Sequence, residues 1–555
     1  MTGPATVLAV SVTEAGRRLA ERLPFEHAHG QVAETVRGRW QHVEGFVLFL
    51  ATGAAVRIIA PLLDDKRTDP AVVCVDEAGR HVVALVGGHA AGANALARQV
   101  AALLGAEPVV TTATDAAGVP GLDALPGFVA VGDVSGVTAA LLDGRLPLVE
   151  AGVDWPLPPG LTPLGGGPER VVVTDLATAP RPGTVVLHPP SLVAGVGTST
   201  DAGPAAVAEL VASALAGAGL APASLGEVAT IDRRAGHPAV TRLGLPVRSF
   251  GAGQLAGVAV PSPSTVVDGA VGTPSVAEAA ALLAAGPGAC LVVAKQKNAV
   301  ATVAVARRSR PRGHLALVGL GPGGPEHRTP AAAAAVRRAQ VVIGYGPYVE
   351  QAADLLTPAH ELVPSPIGRE VERARSALER AAAGRSVAVV CSGDAGVYAM
   401  ASIVLELAGE VAPGLDIEVV PGVTAASAAA AILGAPLGHD HVSISLSDLL
   451  TPWDVIEGRL RAAADSDLVV ALYNPRSRTR DWQLEAARKI LLGSRPDSTP
   501  VGVVTDAGRP GEKAVVTTLG DLDPADVGMT TCVVIGSSAT AVVDARMVTP
   551  RGYRP

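Results

Sequence analysis

Two short turns of small residues in the second half of the chain combine an accessible backbone with single polar side chains. The first, Ser392–Gly396, follows the apolar run Val387–Val390, and the second, Pro421–Thr424, follows Ile417–Val420. Such runs are typical of buried parallel strands, and ligands of open α/β sheets bind at the carboxyl ends of these strands. Glycines let a ligand approach the backbone, while the aspartate offers an acceptor and the threonine a donor. The pattern therefore predicts a binding site, although Gly-Asp and Pro-Gly are also ordinary turn dipeptides.

A glycine-rich segment opens the same half of the chain. Gly319, Gly321 and Gly324 have the GxGxxG spacing after an apolar run, as in dinucleotide-binding folds. Those folds need an acidic residue about 20 positions later, at the end of the second strand. Here the second apolar run, Val341–Ile343, ends in glycine and tyrosine, and Pro322 removes a backbone donor from the loop. The segment therefore does not predict an NAD site.

From Gly313 onward the chain resembles the tetrapyrrole (corrin/porphyrin) methylase family, and within it the precorrin-3B C(17)-methyltransferase branch. The segments that carry the resemblance are Leu317–Gly324, Val341–Tyr345, Ser392–Asp394, Pro421–Ser427, Leu472–Pro475 and Asp506–Glu512. The resemblance implies that S-adenosylmethionine (SAM) is the cofactor and that a tetrapyrrole, with or without chelated cobalt, is the acceptor. It also implies that the macrocycle contracts as it is methylated.

The resemblance further implies which residues contact each ligand. The residues expected to bind the cofactor are Pro322, Ser392, Gly393, Asp394, Val397, Thr424, Ala425, Asn474 and Ala507. A macrocycle with many carboxylates requires arginines around it, because a guanidinium donates two parallel hydrogen bonds to a carboxylate. The arginines expected to bind the substrate are Arg369, Arg373, Arg476 and Arg478. Each of them is equally compatible with a solvated helix face or a helix cap.

A glycine-rich turn with a histidine, Gly87–Asn94, precedes the helix pattern Ala95–Leu104 in the first half of the chain. Free N–H groups at such a helix start can hold an anion, and a histidine there can exchange a proton near neutral pH. A helix-capping turn with a surface histidine fits the same pattern.

Residues 1–308 resemble cobalt-precorrin-5A hydrolase. The segments that carry this resemblance are Thr52–Arg57, Lys66–Pro70, Gly88-His89, Thr111–Asp115, Pro261–Ser264, Val271–Glu278 and Lys295–Lys297. The resemblance implies opening of a lactone with release of acetaldehyde, and we expect His89 and Lys66 to be its catalytic residues. The family follows a Gly-x-Gly with Cys and Arg, whereas this chain has Gly195–Asp201. That departure favours an alternative in which this half binds the tetrapyrrole without catalysis.

Alternating strand and helix patterns predict a multidomain α/β protein, with a C-terminal two-subdomain methylase fold preceded by two smaller α/β domains. The expected segments are a hydrolase-like N-terminal domain at 1–155, a Pro/Gly-rich connection at 156–187, a hydrolase-like C-terminal domain at 188–308 and the methylase at 313–555. The runs Ala71–Val75 and His81–Val86 predict a hairpin.

Composition narrows the class of partners. A net charge of −8 and only five Phe, four Trp and five Tyr argue against a nucleic-acid surface, so an RNA acceptor is disfavoured. No long uncharged apolar span or basic leader is present, which predicts a cytoplasmic protein without a membrane segment. The four cysteines are far apart, and no His/Cys cluster predicts a metal held by the protein. The family resemblance implies a homodimer formed through the methylase domain.

Overall fold

The computed structural model describes residues 6–65, 68–89, 91–117, 119–125, 127–158, 160–161, 165–477 and 480–553. The chain divides into two compact units, Met1–Pro311 and Arg312–Pro555. Within the described ranges the strands form six sheets, and helices accompany them in both units. The predicted fold class, a multidomain α/β protein, is confirmed. The boundaries expected at residues 155 and 187 stay predictions.

The first sheet has the order β2-β1-β3-β4-β5-β6. Its strands are β1 Val7–Ser11, β2 Glu26–His29, β3 Gly45–Phe49, β4 Ala71–Val75, β5 His81–Val86 and β6 Glu107–Val109, and its helices are α1 Glu14–Ala20, α2 Val32–Arg39, α3 Thr52–Ile59, α4 Ala93–Leu104 and α5 Ala113–Ala117. Strands β3 and β4 are buried on both faces, because alternate residues such as Val47 and Phe46 join two different cores. Strand β5 forms the predicted hairpin with β4, and β6 runs parallel to β5. The start of β4 and the ends of β5 and β6 therefore share one sheet edge.

A four-stranded sheet of order β7-β10-β9-β8 follows. Its strands are β7 Val129–Gly132, β8 Leu148–Ala151, β9 Arg170–Val173 and β10 Thr184–His188, with helix α6 at Val134–Leu142. The Pro/Gly-rich stretch 156–187 thus supplies all of β9 and most of β10. It folds because Val171, Val173, Val185 and Leu187 alternate along the two strands and share one core.

The third sheet has the order β13-β12-β11-β15-β14. Its strands are β11 Leu192–Thr198, β12 Leu225–Ile231, β13 Val247–Phe250, β14 Cys290–Lys297 and β15 Ala301–Arg307, and its helices are α7 Pro204–Gly217, α8 Pro238–Thr241, α9 Ala252–Ala256, α10 Thr265–Val271 and α11 Val276–Ala285. Helix α11 packs directly on the backbone of β11, since a Cβ added at Gly195 would stand only 1.9 Å from the Ala277 carbonyl oxygen. In the described part of the chain no single helix has the length and apolarity to cross a membrane; α10 and α11 reach both only as a pair, bent by 76° at the break between them.

The second unit begins with a five-stranded sheet of order β18-β17-β19-β16-β20, in which every pair is parallel. Its strands are β16 His314–Gly319, β17 Val341–Tyr345, β18 Glu361–Ser365, β19 Ser386–Cys391 and β20 Asp416–Val420, and its helices are α12 Pro330–Arg338, α13 Gly346–Gln351, α14 Glu370–Ala382 and α15 Ala401–Val411. Residues of β16 and β19 alternate between two cores, one on each face. The carboxyl ends of β19, β16 and β20 are therefore neighbours.

A mixed sheet of order β22-β23-β26-β24-β25 and a small sheet of order β21-β28-β27 complete this unit. Their strands are β21 Gly434–Ala435, β22 His441–Ser445, β23 Val469–Tyr473, β24 Pro500–Thr505, β25 Lys513–Thr518, β26 Thr531–Ile535, β27 Ala541–Val543 and β28 Arg546–Val548, and the helices are α16 Ala425–Leu433, α17 Trp453–Asp465 and α18 Gln483–Leu492. Because β23 and β24 both run antiparallel to β26 while β22 is parallel to β23, the strands β22, β23 and β24 end at one edge.

Candidate functional site

The ends of β16, β19 and β20 approach each other so closely that only glycine fits. Gly321 donates its N–H to the Gly393 carbonyl at 3.0 Å, and Gly393 donates back to Gly321 at 2.7 Å. A Cβ added at Gly422 would lie 2.2 Å from the Gly393 oxygen and 2.6 Å from the Gly319 oxygen. Both neighbours are backbone atoms, which cannot rotate away. The two turns predicted from the sequence and the glycine-rich loop therefore form one backbone surface.

Asp394 joins two of these turns. Its Oδ2 accepts the N–H of Gly422 at 2.9 Å, and its Oδ1 accepts the N–H of Gly396 at 2.8 Å. The carboxylate predicted to bind the cofactor thus supports the wall of the site through the protein's own backbone. Direct contact between Asp394 and a cofactor stays a prediction.

Tyr473, at the end of β23, lies against the first turn of α16. Its hydroxyl is 2.6 Å from the Thr424 Oγ1 and accepts the N–H of Ala426 at 2.9 Å. Burial raises the pKa of Tyr473 although these two hydrogen bonds oppose the shift, so the phenol is neutral at physiological pH. Tyr473 stands in the motif Leu472–Pro475 but was not among the predicted site residues. The available signal was a single hydroxyl at the end of an otherwise apolar strand.

Tyr398 bridges the two sheets from the other side. It donates its hydroxyl to the Ser443 carbonyl at 2.9 Å, and its ring centroid is 5.1 Å from that of Tyr473. Its φ of 51° is unusual for a bulky residue, and the side chain is more than half exposed. Asn474 has a similar φ of 49° and donates its Nδ2 to the Ser445 hydroxyl at 3.0 Å. Both residues have a left-handed backbone conformation, which lies outside the ranges of strands and right-handed helices.

Arg509 fixes the loop that contains Pro322. Its Nε donates to the Pro322 carbonyl and its Nη2 to the Ser392 hydroxyl, both at 2.8 Å. Gln351 supports the same loop by donating its Nε2 to the carbonyls of Gly321 and Gly323, at 3.0 and 3.1 Å. Arg509 was not among the predicted site residues, although the nearby Ala507 was. A lone arginine in the quoted run 506–512 was the signal that could have identified it.

The other cofactor candidates lie in or beside these turns. Pro322 and Gly393 are buried, and Ser392, Val397, Thr424, Ala425 and Ala507 are half-buried. The structure therefore brings the predicted set together around the strand ends of both sheets of this unit, with Asn474 exposed at their margin. Glycines whose Cβ would clash and partly exposed hydroxyls line this surface, which suits a ligand that lies against the backbone.

The described members of the predicted substrate arginines each interact with a neighbouring protein group. Arg369 is exposed and pairs with Glu372 at 2.7 Å. Arg373 is 6% exposed and donates to the Ser365 hydroxyl at 2.7 Å and the Pro366 carbonyl at 2.8 Å. Arg476 donates to the Pro524 carbonyl at 2.6 Å. Arg478 lies outside the described residues.

A cavity of about 320 Å³ lies beside α14. Its lining residues are Ile343, Val363, Ser365, Arg369, Glu372, Arg373 and Ser376. The cavity follows the edge strand β18, and none of the convergent turns lines it. Its position therefore differs from that of the candidate cofactor site.

His89 belongs to a polar cluster in the first unit. Its Nε2 is 2.8 Å from the Thr114 hydroxyl and 3.0 Å from the Asp115 Oδ2. Burial alone would raise the pKa of Asp115, but the hydrogen bond from Thr112, the ion pair with Arg98 and the nearby His89 hold it below its usual value. Asp115 is therefore ionised at neutral pH. Lys66, the other expected catalytic residue, lies outside the described residues.

Burial raises the pKa of Cys391 to about 11, so its thiol is protonated beside the convergent turns. Among the described residues, no group of three or more His, Cys, Asp or Glu side chains is arranged to hold a metal ion.

Comparison with known proteins gives three family matches. The model described as Tetrapyrrole (Corrin/Porphyrin) Methylases matches residues 314–523, Cobalamin synthesis G N-terminal matches 34–115, and Cobalamin synthesis G C-terminus matches 192–306. Together with the strand-end site, these matches place the second unit among the α/β methylases.

Several curated relatives match the second unit closely. A probable cobalt-factor III C(17)-methyltransferase of Salmonella typhimurium (strain LT2) is 46% identical over 239 residues, which are 43% of this chain and 99% of that one. A precorrin-3B C(17)-methyltransferase of Sinorhizobium sp is 46% identical over 250 residues, 43% of this chain and 97% of that one. The crystal structure of the methyltransferase CobJ is 41% identical and covers 43% of this chain and 100% of its own, with a TM-score of 0.41. The chain belongs to the tetrapyrrole (corrin/porphyrin) methylase family, and its first half carries the two Cobalamin synthesis G domains.

Proposed function

We propose that the second unit methylates precorrin-3B, or its cobalt-containing counterpart, at C(17) with SAM as donor and contracts the ring, as a step of cobalamin biosynthesis. The observation that carries the proposal is the convergence of three strand ends, tied by Asp394 and closed by Arg509. This chain covers the Salmonella and Sinorhizobium relatives almost completely. Both relatives are named as C(17)-methyltransferases, which supports C(17) as the site of methylation.

The residues present fit SAM. A Cβ added at Gly319 or Gly422 would meet backbone atoms within 3.0 Å, so glycine lets these turns pack directly against each other. Pro322, Ser392 and Thr424 would hold the cofactor beside these turns. When bound, SAM supplies an electrophilic methyl group on a sulfonium, and the protein has to orient the acceptor carbon towards it rather than exchange protons.

The acceptor would lie on the exposed side of the turns. Tyr398 offers a partly exposed ring there, while Arg369 and Arg476 are the described candidates for pairing with the carboxylates of the macrocycle. A homodimer through the methylase domain, implied by the family resemblance, and a cytoplasmic location, predicted from the sequence, remain predictions. Sedimentation of the purified chain would test the first of these.

In the decisive experiment, the full chain is incubated with labelled SAM and either cobalt-factor III or precorrin-3B. The macrocycle is then analysed by mass spectrometry. We expect one added methyl group on a contracted ring.

Asp394→Ala should weaken binding of S-adenosylhomocysteine about 10–100-fold, because it leaves two backbone N–H groups without their acceptor, at a cost of about 1–3 kcal/mol. Asp465→Ala, at an exposed helix end, is the matched control. If the wild-type chain binds S-adenosylhomocysteine but labels neither macrocycle, the acceptor is a different molecule.

A second function is favoured by the matches to both Cobalamin synthesis G models and by the cluster around His89. The first unit would open the lactone formed by ring contraction and release acetaldehyde. Where the hydrolase family has a basic residue after its Gly-x-Gly, Arg234 of this chain reaches the Thr200 hydroxyl at 2.9 Å. The guanidinium missing from the sequence motif is therefore present nearby in space.

The alternative is a first unit that binds the tetrapyrrole without catalysis. Supplying cobalt-precorrin-5A to the full chain and measuring acetaldehyde with alcohol dehydrogenase distinguishes the two. Acetaldehyde release supports the hydrolase, whereas tight binding of the substrate without release supports the binding module.

A further inference from the structure

We propose that His89, oriented by Asp115, is the general base that activates water to open the lactone. The inference rests on the hydrolase function proposed above and assigns the reacting group within it. The substrate class is a cyclic ester, whose carbonyl carbon would be placed beside this cluster at the sheet edge formed by the ends of β5 and β6.

The hydrogen bonds of the cluster determine which nitrogen of His89 carries the proton. The Asp115 Oδ2, 3.0 Å from the His89 Nε2, belongs to an ionised carboxylate and can only accept. Nε2 must therefore hold the hydrogen, and Nδ1 must hold the lone pair of the neutral ring. Among the described residues no hydrogen-bond partner lies against Nδ1, so that atom is available to take a proton from water.

Asp115 is itself fixed from several directions. Its Oδ2 also accepts from the Thr112 hydroxyl and, at 3.0 Å, from the Asn94 Nδ2, while its Oδ1 pairs with Arg98. A carboxylate held in this way keeps the imidazole in one tautomer and stabilises the imidazolium that forms when Nδ1 is protonated.

A buried acceptor without a partner marks the place of the water. Asn94 is 2% exposed, its Nδ2 donates to Thr112 and Asp115, and its Oδ1 has no partner among the described residues. An unsatisfied buried acceptor costs about 1–3 kcal/mol, so the site should recruit an O–H donor. This oxygen lies 4.0 Å from the ideal Cβ position of Gly88, next to His89. A water held there would lie beside Gly88, the residue that precedes the proposed base.

The imidazole ring is also held sterically. A Cβ added at Gly121 would stand 3.0 Å from the His89 Cδ2 and 3.1 Å from its Nε2, so this backbone covers one side of the ring. The His89 side chain remains 23% exposed. The ring is therefore oriented by its neighbours yet still open to a substrate.

The reaction balances without an added oxidant or reductant. Nδ1 of His89 takes one proton from water as the water oxygen forms a bond with the lactone carbonyl carbon. The bond between that carbon and the ring oxygen then breaks, and the leaving alkoxide takes the proton from the imidazolium. One water and one lactone give one hydroxy acid. Acetaldehyde then leaves as the new hydroxyl loses its proton, the bond between its carbon and the macrocycle breaks, and the macrocycle carbon takes the electron pair and a proton.

The test uses the full chain, cobalt-precorrin-5A and ¹⁸O-labelled water, with acetaldehyde and label in the new carboxylate as readouts. We expect His89→Ala to lower the rate about 10²-fold or more, and added imidazole to restore part of it, which a purely structural histidine would not allow. Asp115→Asn should also lose rate and should shift the pH profile, because the tautomer is no longer fixed. His81→Ala, an exposed histidine at the opposite end of β5, is the control and should retain the full rate.

Rates within twofold of the wild type for His89→Ala would overturn the assignment. So would a loss that imidazole does not restore combined with an unchanged pH profile in Asp115→Asn. If the wild-type chain releases no acetaldehyde at all, the hydrolase function fails and this assignment fails with it; release by wild type and His89→Ala alike overturns the assignment alone.

Discussion

At the scale of single residues, polar side chains at the candidate cofactor site act mainly on the protein's own backbone. Asp394 binds two N–H groups, Tyr473 binds the first turn of α16, and Arg509 binds a carbonyl and a hydroxyl of two different loops. The ligand-facing surface is then mostly main chain. Sequence motifs can name such residues because their types are distinctive, but they cannot show which atom each one holds.

Arg509→Lys tests the importance of the two simultaneous bonds. A lysine ammonium lacks the planar fork that reaches Pro322 and Ser392 together, so we expect about 10-fold weaker binding of S-adenosylhomocysteine by calorimetry. Arg459→Lys, on an exposed face of α17, is the matched control and should bind normally. Equal affinities in the two variants would contradict a role of Arg509 in holding the loop.

Asp115→Asn tests the lowered pKa of this carboxyl through stability. A lowered folded-state pKa adds stability that is complete above the unfolded value of about 4 and is lost as the pH falls through the lower folded value. We expect the variant to be less stable by about 1–3 kcal/mol at pH 7 and the difference to shrink towards pH 3. Unfolding would be followed calorimetrically at several pH values, with the exposed Asp201→Asn as control. A difference that does not change with pH would refute the ionised role.

At the scale of elements, the site depends on how closely three parallel strands end. Substituting Gly422 adds a Cβ where only carbonyl oxygens are present, whereas Gly458 lies in α17 with no heavy atom within 4 Å of its ideal Cβ position. A glycine-to-alanine substitution therefore creates a clash at Gly422 but meets open space at Gly458.

Gly422→Ala should destabilise the second unit by about 1–3 kcal/mol and abolish binding of S-adenosylhomocysteine. Gly458→Ala should stabilise it by about 0.5–1 kcal/mol through helix propensity and leave binding intact. Thermal unfolding and titration calorimetry on both variants check this pair of opposite signs. Normal binding by Gly422→Ala would show that the turns can separate without loss of the site.

The sequence predicted elements better than contacts. The apolar run Val387–Val390 lies within β19, Ser386–Cys391. The next helix begins only at Ala401, after Tyr398 with its left-handed backbone. Arg373 was expected at the substrate, yet it lies four residues before the buried Ala377 on one face of α14. That spacing could be recognised in the sequence. The hydrogen bond between Arg509 and Pro322 could not be predicted, because it joins residues 187 positions apart.

At the scale of the whole molecule, each unit contains its own sheets, its own cores and its own candidate site. The arginines near the end of the first unit are bound within that unit: Arg307 pairs with the buried Asp175 at 2.6 Å and Arg308 with Glu227 at 3.0 Å. The short basic run that begins at Arg307 is therefore partly anchored. If the chain has both proposed activities, their connection would raise the effective concentration of a labile intermediate.

The two proposed activities should be separable by single substitutions in the full chain. Asp394→Ala should lower methyl transfer and leave acetaldehyde release from supplied cobalt-precorrin-5A within about twofold of wild type. His89→Ala should show the reverse pattern. Parallel assays of both reactions on both variants check this, and loss of both activities in either variant would mean that the two sites depend on each other.

Both Asp394 oxygens accept hydrogen bonds from main-chain amides, which bears on inhibition by the demethylated product. Donation of a methyl group turns a positively charged sulfonium into a neutral thioether, and a bare carboxylate nearby would discriminate electrostatically between them. With each oxygen already accepting an amide hydrogen bond, that discrimination is reduced. We therefore expect the demethylated nucleoside to compete with its precursor, so that sustained flux depends on another enzyme clearing it.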